Sequence, residues 1–333
     1  MIHFSNVSCI RETNIEFAEI DLNKQIVRCA ISENGKILAS TKIVFPGKSE
    51  EKGFYLCDFW TRQCEALGSL GLSGGIGRID AYGNAFVVYG YSADRVVVSE
   101  DGNPILKTRS LANFASNGVE YVYALAGHVD VVTSNGGGYL FEYDVKVNRG
   151  LSRIYTKIFK PDDGWSVINY FEDEENNEKV LKVKLVRPKE KEITNFVLNT
   201  NSFQPHAVNG AGRDFIVVKG VDKEEKGVQM VILKPDGRPI VIMSKYHLDV
   251  SWVDEKGVVF GSSSLLKRKS AILFVRPNGI VEWKRLDRLF DVLCARRVGN
   301  RVIGLVRSFR DENIYLFRME LWSPLLFNQL TKY

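Results

Sequence analysis

His206 and His247 stand near the starts of two adjacent stretches of similar pattern, and Asp249 lies two residues beyond the second histidine. Two imidazoles and a carboxylate suit a transition metal, but a catalytic centre takes about three protein ligands. The chain has four histidines, the others being His3 and His128. Histidines that recur with a repeat are also simply repeated structure, so no metal is expected. A larger concentration of charge lies between Leu265 and Arg310, where twelve basic side chains face three acidic ones, while the rest of the chain is acidic overall. Lys267, Arg268 and Lys269 fall between two apolar runs, where a hairpin tip is expected. Arg296 and Arg297 precede the turn dipeptide Gly299-Asn300. On one shared face these five would make a footprint for nucleic acid or an acidic protein. Strand residues alternate in direction, so the same charges can equally form a solvated exterior.

Other chemistry finds no support. A serine hydrolase of the nucleophile-elbow type needs G-x-S-x-G, and Gly71-Leu72-Ser73-Gly74-Gly75 places its glycines differently. No P-loop occurs, and Gly74-Gly75-Ile76-Gly77 precedes no helix. No cofactor is expected. Five cysteines, Cys9, Cys29, Cys57, Cys64 and Cys294, match no zinc spacing. Cys57 and Cys64 would face each other across a hairpin turning near Thr61; in an intracellular chain both are expected to be reduced.

The elements that would carry any site are strands. Of the 333 residues, 45% are hydrophobic and 11% aromatic, and the apolar runs are rich in Val, Ile, Tyr and Phe, which fit a half-buried pleated surface. The clearest unit runs from His206 to Lys245. In it Phe215–Val218, Val228–Leu233 and Pro239–Met243 are separated by a polar loop and by Pro235-Asp236-Gly237. The next unit repeats the order, and Arg276-Pro277-Asn278-Gly279 matches Lys234–Gly237 position for position. Positive φ is expected at both Gly237 and Gly279. Fainter units span Gln25–Leu70, Ile76–Arg109, Leu111–Lys157 and Trp165–Phe203, and a last one begins near Val292. One short helical turn is conceivable over Leu286–Cys294. No Gly/Ser-rich or Pro-rich linker divides the chain.

Hairpin units repeating at about 40 residues are the signature of a β-propeller. The chain resembles generic propeller blades, and the endings Cys57-Asp58 and Tyr143-Asp144 resemble the Asp-bearing third strand of WD40 and related repeats. The specific WD40 signature is missing, since Gly127-His128 is the only Gly-His pair and no Trp-Asp occurs. The kelch double glycine appears once, at Gly136-Gly137-Gly138, without its partner Trp. The resemblance implies an all-β architecture of seven blades with four antiparallel strands each, over residues 1–333 as one domain; six or eight blades stay open. A propeller must join its last blade to its first or leave two raw edges. Segment 14–22 precedes the first unit and is expected to pair with the last unit around Ile314–Met319.

The expected function is a non-catalytic scaffold that holds a protein partner on one face of the disc. The alternative is a nucleic-acid scaffold using segment 265–310, and a second is an enzyme with its site at the mouth of the channel. No stretch is long and apolar enough to span a membrane. The start, Met1–Asn6, lacks the regions of a secretory signal, so a cytoplasmic chain is expected. Scarce glutamine, five residues in all, with plentiful Glu and Lys points to a thermophile.

Overall fold

Val, Ile and Phe at alternating positions, punctuated by Asx-Gly turns, fold into seven antiparallel sheets. The computed structural model describes residues 2–22, 26–41, 53–72, 75–145, 153–160, 164–210, 215–224, 227–235, 237–264, 269–286 and 288–322. Three strands come first: β1 (Ile2–Ser5), β2 (Cys9–Glu12) and β3 (Ile15–Glu19). Blade 1 holds β4 (Ile26–Ile31), β5 (Lys36–Thr41), β6 (Phe54–Asp58) and β7 (Cys64–Gly68). Blade 2 holds β8 (Ile76–Tyr82), β9 (Ala85–Gly90), β10 (Asp94–Ser99) and β11 (Pro104–Arg109). Blade 3 holds β12 (Asn113–Ser116), β13 (Glu120–Leu125), β14 (His128–Thr133) and β15 (Gly138–Glu142).

Blade 4 holds β16 (Tyr155–Phe159), β17 (Ser166–Glu175), β18 (Glu178–Arg187) and β19 (Glu192–Asn199). Blade 5 holds β20 (Phe203–Asn209), β21 (Ile216–Asp222), β22 (Val228–Leu233) and β23 (Ile240–Ser244). Blade 6 holds β24 (His247–Asp254), β25 (Gly257–Ser264), β26 (Lys269–Val275) and β27 (Ile280–Leu286). Blade 7 holds β28 (Phe290–Val298), β29 (Arg301–Ser308) and β30 (Ile314–Glu320). Its fourth strand is β3, antiparallel to β30, with Ile15 opposite Met319 and Phe17 opposite Phe317. The result is a seven-bladed β-propeller.

The N-terminal strands do more than close the ring. β1 adds to the outer edge of blade 5, antiparallel to β23, and β2 adds to the outer edge of blade 6, parallel to β27. Blades 5, 6 and 7 therefore share one N-terminal belt, while β7, β11, β15 and β19 end their sheets. Each edge strand so covered has its backbone groups paired rather than offered to another chain. The first strand of each blade lies innermost, and these strands touch from blade to blade, β4 with β8, β12 with β16, β24 with β28 and β28 with β4. Core packing is mostly between sheets: Phe260, Leu273 and Val258 of blade 6 pack with Val217, Ile232 and Ile242 of blade 5.

Three expectations are corrected. No helical turn forms at Leu286–Cys294; Phe290 to Val298 is the first strand of blade 7, and no helix occurs among the described residues. Four cysteines are not reduced: Cys29 is bonded to Cys294 and Cys57 to Cys64, leaving Cys9 free. Gly279 has φ of +85°, as its turn requires, but Gly237 is outside the left-handed region. The matching tetrapeptides close loops of different length. Val275 pairs with Val281 in blade 6, whereas Ile232 pairs with Ile240 in blade 5, so Arg238-Pro239 widen the second loop. Asn6 donates to the Pro239 carbonyl from β1's end, which ties the wider loop to the belt.

Candidate functional site

In each blade the innermost strand turns alternate side chains toward the axis. The inner strands of blades 1, 2, 4, 5, 6 and 7 line a central cavity of about 240 Å³. Among the described residues four charged side chains line it: Arg78 and Asp80 from β8, Lys157 from β16, and Lys160 just beyond β16. Asp80 Oδ2 meets Arg78 Nε at 3.0 Å, and the Arg78 side chain stays half-exposed. Its guanidinium lies 4.1 Å from the centre of the Tyr89 ring. Lys157 Nζ donates to Asn209 Oδ1 at 2.7 Å, across to blade 5.

A network of hydroxyls ties Asp80 into the wall between blades 2 and 3. Tyr82 Oη donates to Asp80 Oδ2 at 3.1 Å, lies 3.1 Å from Tyr89 Oη, and Tyr89 Oη donates to the Phe114 carbonyl at 2.7 Å. Burial first, then the charge of Asp80, raises the Tyr82 phenol well above its usual range; the same causes push Tyr89 up to about 12. Both are therefore neutral donors. Burial works against the charge of Arg78, but Asp80 and the neighbouring phenols more than offset it. Burial lowers Lys157 to about 8, with Arg78 adding repulsion and Asp80 opposing it. A second hollow of about 260 Å³ opens beside Arg78, between blades 2 and 3, and holds Arg95 and Asn113. Arg95 Nη1 caps the carbonyls of Gly90 and Asp94.

The sequence-stated candidates fall elsewhere. His247 Nε2 and Lys219 Nζ both contact Asp249, so an ammonium already stands where a metal would bind. His206 is the fourth residue of β20, at a bulge between Pro205 and Ala207, whereas His247 is the first of β24. The two histidines are thus not equivalent in their blades. Among the described residues no group of three metal-ligating side chains is placed to hold a metal. Lys267 and Arg268 lie outside the described residues. Lys269, half-buried, begins β26 beside the β25–β26 turn. Arg296 and Arg297 lie at the β28–β29 turn. Successive turns of an antiparallel meander fall at opposite ends of its strands. The first-to-second and second-to-third turns of neighbouring blades therefore open on opposite faces of the disc, and Lys269 does not share a face with Arg296.

Arg296 is also buried, and its guanidinium sits 4.1 Å from the centre of the Trp252 ring. It donates to the Ile31 carbonyl at 3.0 Å and pairs with Glu33 at 3.1 Å. Arg297 Nε donates to Asp254 Oδ2 at 2.6 Å. Other bases of segment 265–310 are matched likewise: Lys284 with Glu12, Arg276 with Glu282, Arg301 with Glu320 and Arg307 with Asp291. Glu12 comes from the belt, Glu33 from blade 1, Asp254 from β24 and Glu320 from β30, while Glu282 and Asp291 belong to the segment itself, so six of its twelve bases are paired with acids in the fold. The channel residues Arg78 and Lys157 were not singled out by sequence. Their signal was a charge on the first strand of a unit, as in Ile76-Gly77-Arg78-Ile79-Asp80, which places it toward the axis.

No family model matches the chain, and no curated protein matches it. Solved structures do. Raptor from Chaetomium thermophilum is similar with a TM-score of 0.56 at 10% identity, over 91% of this chain and 29% of that one. The propeller domain of the Trilobed protease from Pyrococcus furiosus, which has an open velcro topology, is similar with a TM-score of 0.54 at 8% identity, over 90% and 97%. An acylaminoacyl peptidase from Pyrococcus horikoshii is similar with a TM-score of 0.52 at 10% identity, over 93% and 55%. These likenesses show the propeller fold.

Proposed function

We propose that this chain is a non-catalytic propeller scaffold that holds a protein partner on one face of the disc, over blades 2 to 4. One observation carries the reading. Tyr91, Leu111, Leu125 and Tyr155 are all exposed, Leu111 at 97%. Tyr91 lies in the second-to-third turn of blade 2, and Leu125 ends β13 at the same turn of blade 3. Leu111 lies in the connection between blades 2 and 3, and Tyr155 begins blade 4. Those turns and connections open on one face, and the Ser110 amide donates to the Ala93 carbonyl at 3.1 Å, which joins the two kinds of loop. Apolar side chains gathered on adjacent blades mark a contact surface. Blades 5 and 6 expose no large apolar side chain among their own described strands. Closure leaves loops free to vary while the strands hold them in place.

The test is affinity purification from the native host with the wild type and with Tyr91→Glu/Leu111→Glu/Leu125→Glu, with and without nuclease. A protein retained by the wild type, lost by the triple variant and insensitive to nuclease is expected. Equal retention by the variant overturns this placement. Capture that disappears with nuclease favours the nucleic-acid alternative.

A further inference from the structure

We propose that the central cavity is a binding site for a small molecule carrying a carboxylate or phosphate, held between Arg78 and Lys157. This site is separate from the partner face and does not depend on it. Three features of the cavity converge. Among the described residues its charged lining is three cations and one carboxylate, a positive excess in a confined space. The carboxylate among the described lining residues, Asp80, is already engaged, by Arg78 Nε on one side and the Tyr82 hydroxyl on the other. Lys157 lines the cavity from blade 4, and among the described residues the one hydrogen bond its ammonium makes is to the neutral amide oxygen of Asn209.

An ammonium held by one neutral acceptor, near a guanidinium and partly out of water, is electrostatically unsatisfied, and the charge of Asp80 offsets only part of this. Its lowered proton affinity is the same fact seen from the proton. An incoming oxyanion would supply the missing opposite charge, and charge-assisted hydrogen bonds are the strongest a site of this kind can make. Arg78 is suited to the other side of such a ligand. Its planar fork is backed by the Tyr89 ring and steered by Asp80, so it is ordered before the ligand arrives. Low-dielectric walls focus the field of both cations into the cavity. The charges alone do not choose between carboxylate and phosphate, so both are probed.

The experiment is isothermal titration of the full chain with inorganic phosphate and, separately, with succinate, at fixed ionic strength set by chloride. Saturable one-to-one binding of at least one probe is expected, and the probe that binds identifies the group. Lys157→Gln and Arg78→Gln should each weaken it about tenfold or more, the equivalent of one lost charge-assisted contact. Lys157→Arg, which keeps the charge, should retain most of it. Binding should also raise the proton affinity of Lys157, read from the ¹³Cε shift of labelled lysine on titration. Absence of saturable binding by both probes overturns the proposal, as does binding that both Gln variants leave unchanged while their far-ultraviolet spectra match the wild type.

Discussion

Cys29 on the inner strand of blade 1 is bonded to Cys294 on the inner strand of blade 7, across 265 residues of sequence. The ring is thus closed twice, once by β3 on β30 and once by this covalent link between the first and last blades. Cys57–Cys64 spans only 7 residues within one hairpin. In the chain-entropy picture a bond stabilises by restricting the unfolded chain, as the logarithm of the loop it closes. The ceiling is about 5.5 kcal/mol for the long loop and about 2.5 kcal/mol for the short one. Cys294→Ala should therefore lower the denaturation midpoint more than Cys64→Ala. Equal losses would mean that the strand pairing already holds the unfolded chain's ends together. Intact mass after alkylation without reductant should show a single modified thiol, at Cys9.

The closing strand makes its own contribution. The Phe17 ring stacks on Phe290 with centroids 5.1 Å apart and planes 10° from parallel. Phe17 remains 38% exposed, so Phe17→Ala should cost about 1 kcal/mol, the range of an aromatic pair with partial burial. Deleting residues 2–19 should do far more, because it bares the edges of β23, β27 and β30 together. Self-association of that truncation, seen by light scattering, is the expected consequence of three open edges.

The paired turns of blades 5 and 6 separate conformation from sequence. At Gly279, φ is +85° and a Cβ would approach the Asn6 carbonyl oxygen and the Ser8 amide nitrogen, each at 3.1 Å. Gly279→Val should cost about 1–3 kcal/mol, since a β-branched residue is strained there. At Gly237 the nearest atom is the flexible end of Lys234, at 3.2 Å, and Gly237→Val should stay within about 0.5 kcal/mol of the wild type. A thermal melt that ranks the two in the reverse order would misplace the strain.

Much of the architecture was legible because a propeller is written locally. Each blade is a meander whose strands follow one another, so Pro277-Asn278-Gly279 or Asp101-Gly102 marks its own turn without reference to the rest of the chain. The count of seven and most blade limits followed from such marks. Blade 4 was the exception: its first strand, Tyr155–Phe159, precedes the Trp165 at which the unit was placed, since the sequence between blades 3 and 4 carries no tight turn signal. What the sequence did not show are contacts between distant segments. Arg296 reads as a free surface cation until Glu33 and Trp252 are brought to it from two other blades. Cys29 and Cys294 likewise have no local sign of each other. Lys157 sits in an unremarkable run, and only the ring turns it toward Arg78.

The pH dependence of stability should report Lys157. Its folded-state value is lowered to about 8, chiefly by burial, against an ordinary value near 10.5. Between those limits the unfolded chain holds a proton that the folded chain has released, so stability from this group rises with pH. Below about pH 8 the ammonium is charged in both states and its desolvation cost is borne in full. Lys157→Met should therefore be stabilising at pH 7, with the advantage over the wild type shrinking as pH rises toward 10.5. Urea denaturation of both proteins at intervals from pH 7 to 10 measures the difference and cancels the other groups. A difference that stays flat across this range would mean that Lys157 keeps its ordinary proton affinity.

Arg296 decides between a structural and a ligand-binding role for the basic segment. Its guanidinium is buried, covers Trp252, donates to the Ile31 carbonyl and pairs with Glu33, so it pins blade 7 to blades 6 and 1 beside the Cys29–Cys294 bond. Glu33 lies at the surface, 45% exposed, and water can take the place of its partner. The Ile31 carbonyl and the indole face lose theirs without replacement. Arg296→Met should therefore destabilise by about 2–3 kcal/mol, nearer to the loss of a buried partner than to that of a surface pair. Because most of the loss comes from the buried carbonyl and indole contacts and little from the half-exposed pair, it should be nearly the same at 0.05 and 0.5 M salt, whereas the contribution of a solvated pair would be screened. Arg297→Met should follow the same pattern through Asp254. Guanidinium chloride would mask the salt dependence, so urea is the denaturant to use. An Arg296→Met protein as stable as the wild type would free this side chain for a phosphate and return segment 265–310 to the list of interaction surfaces.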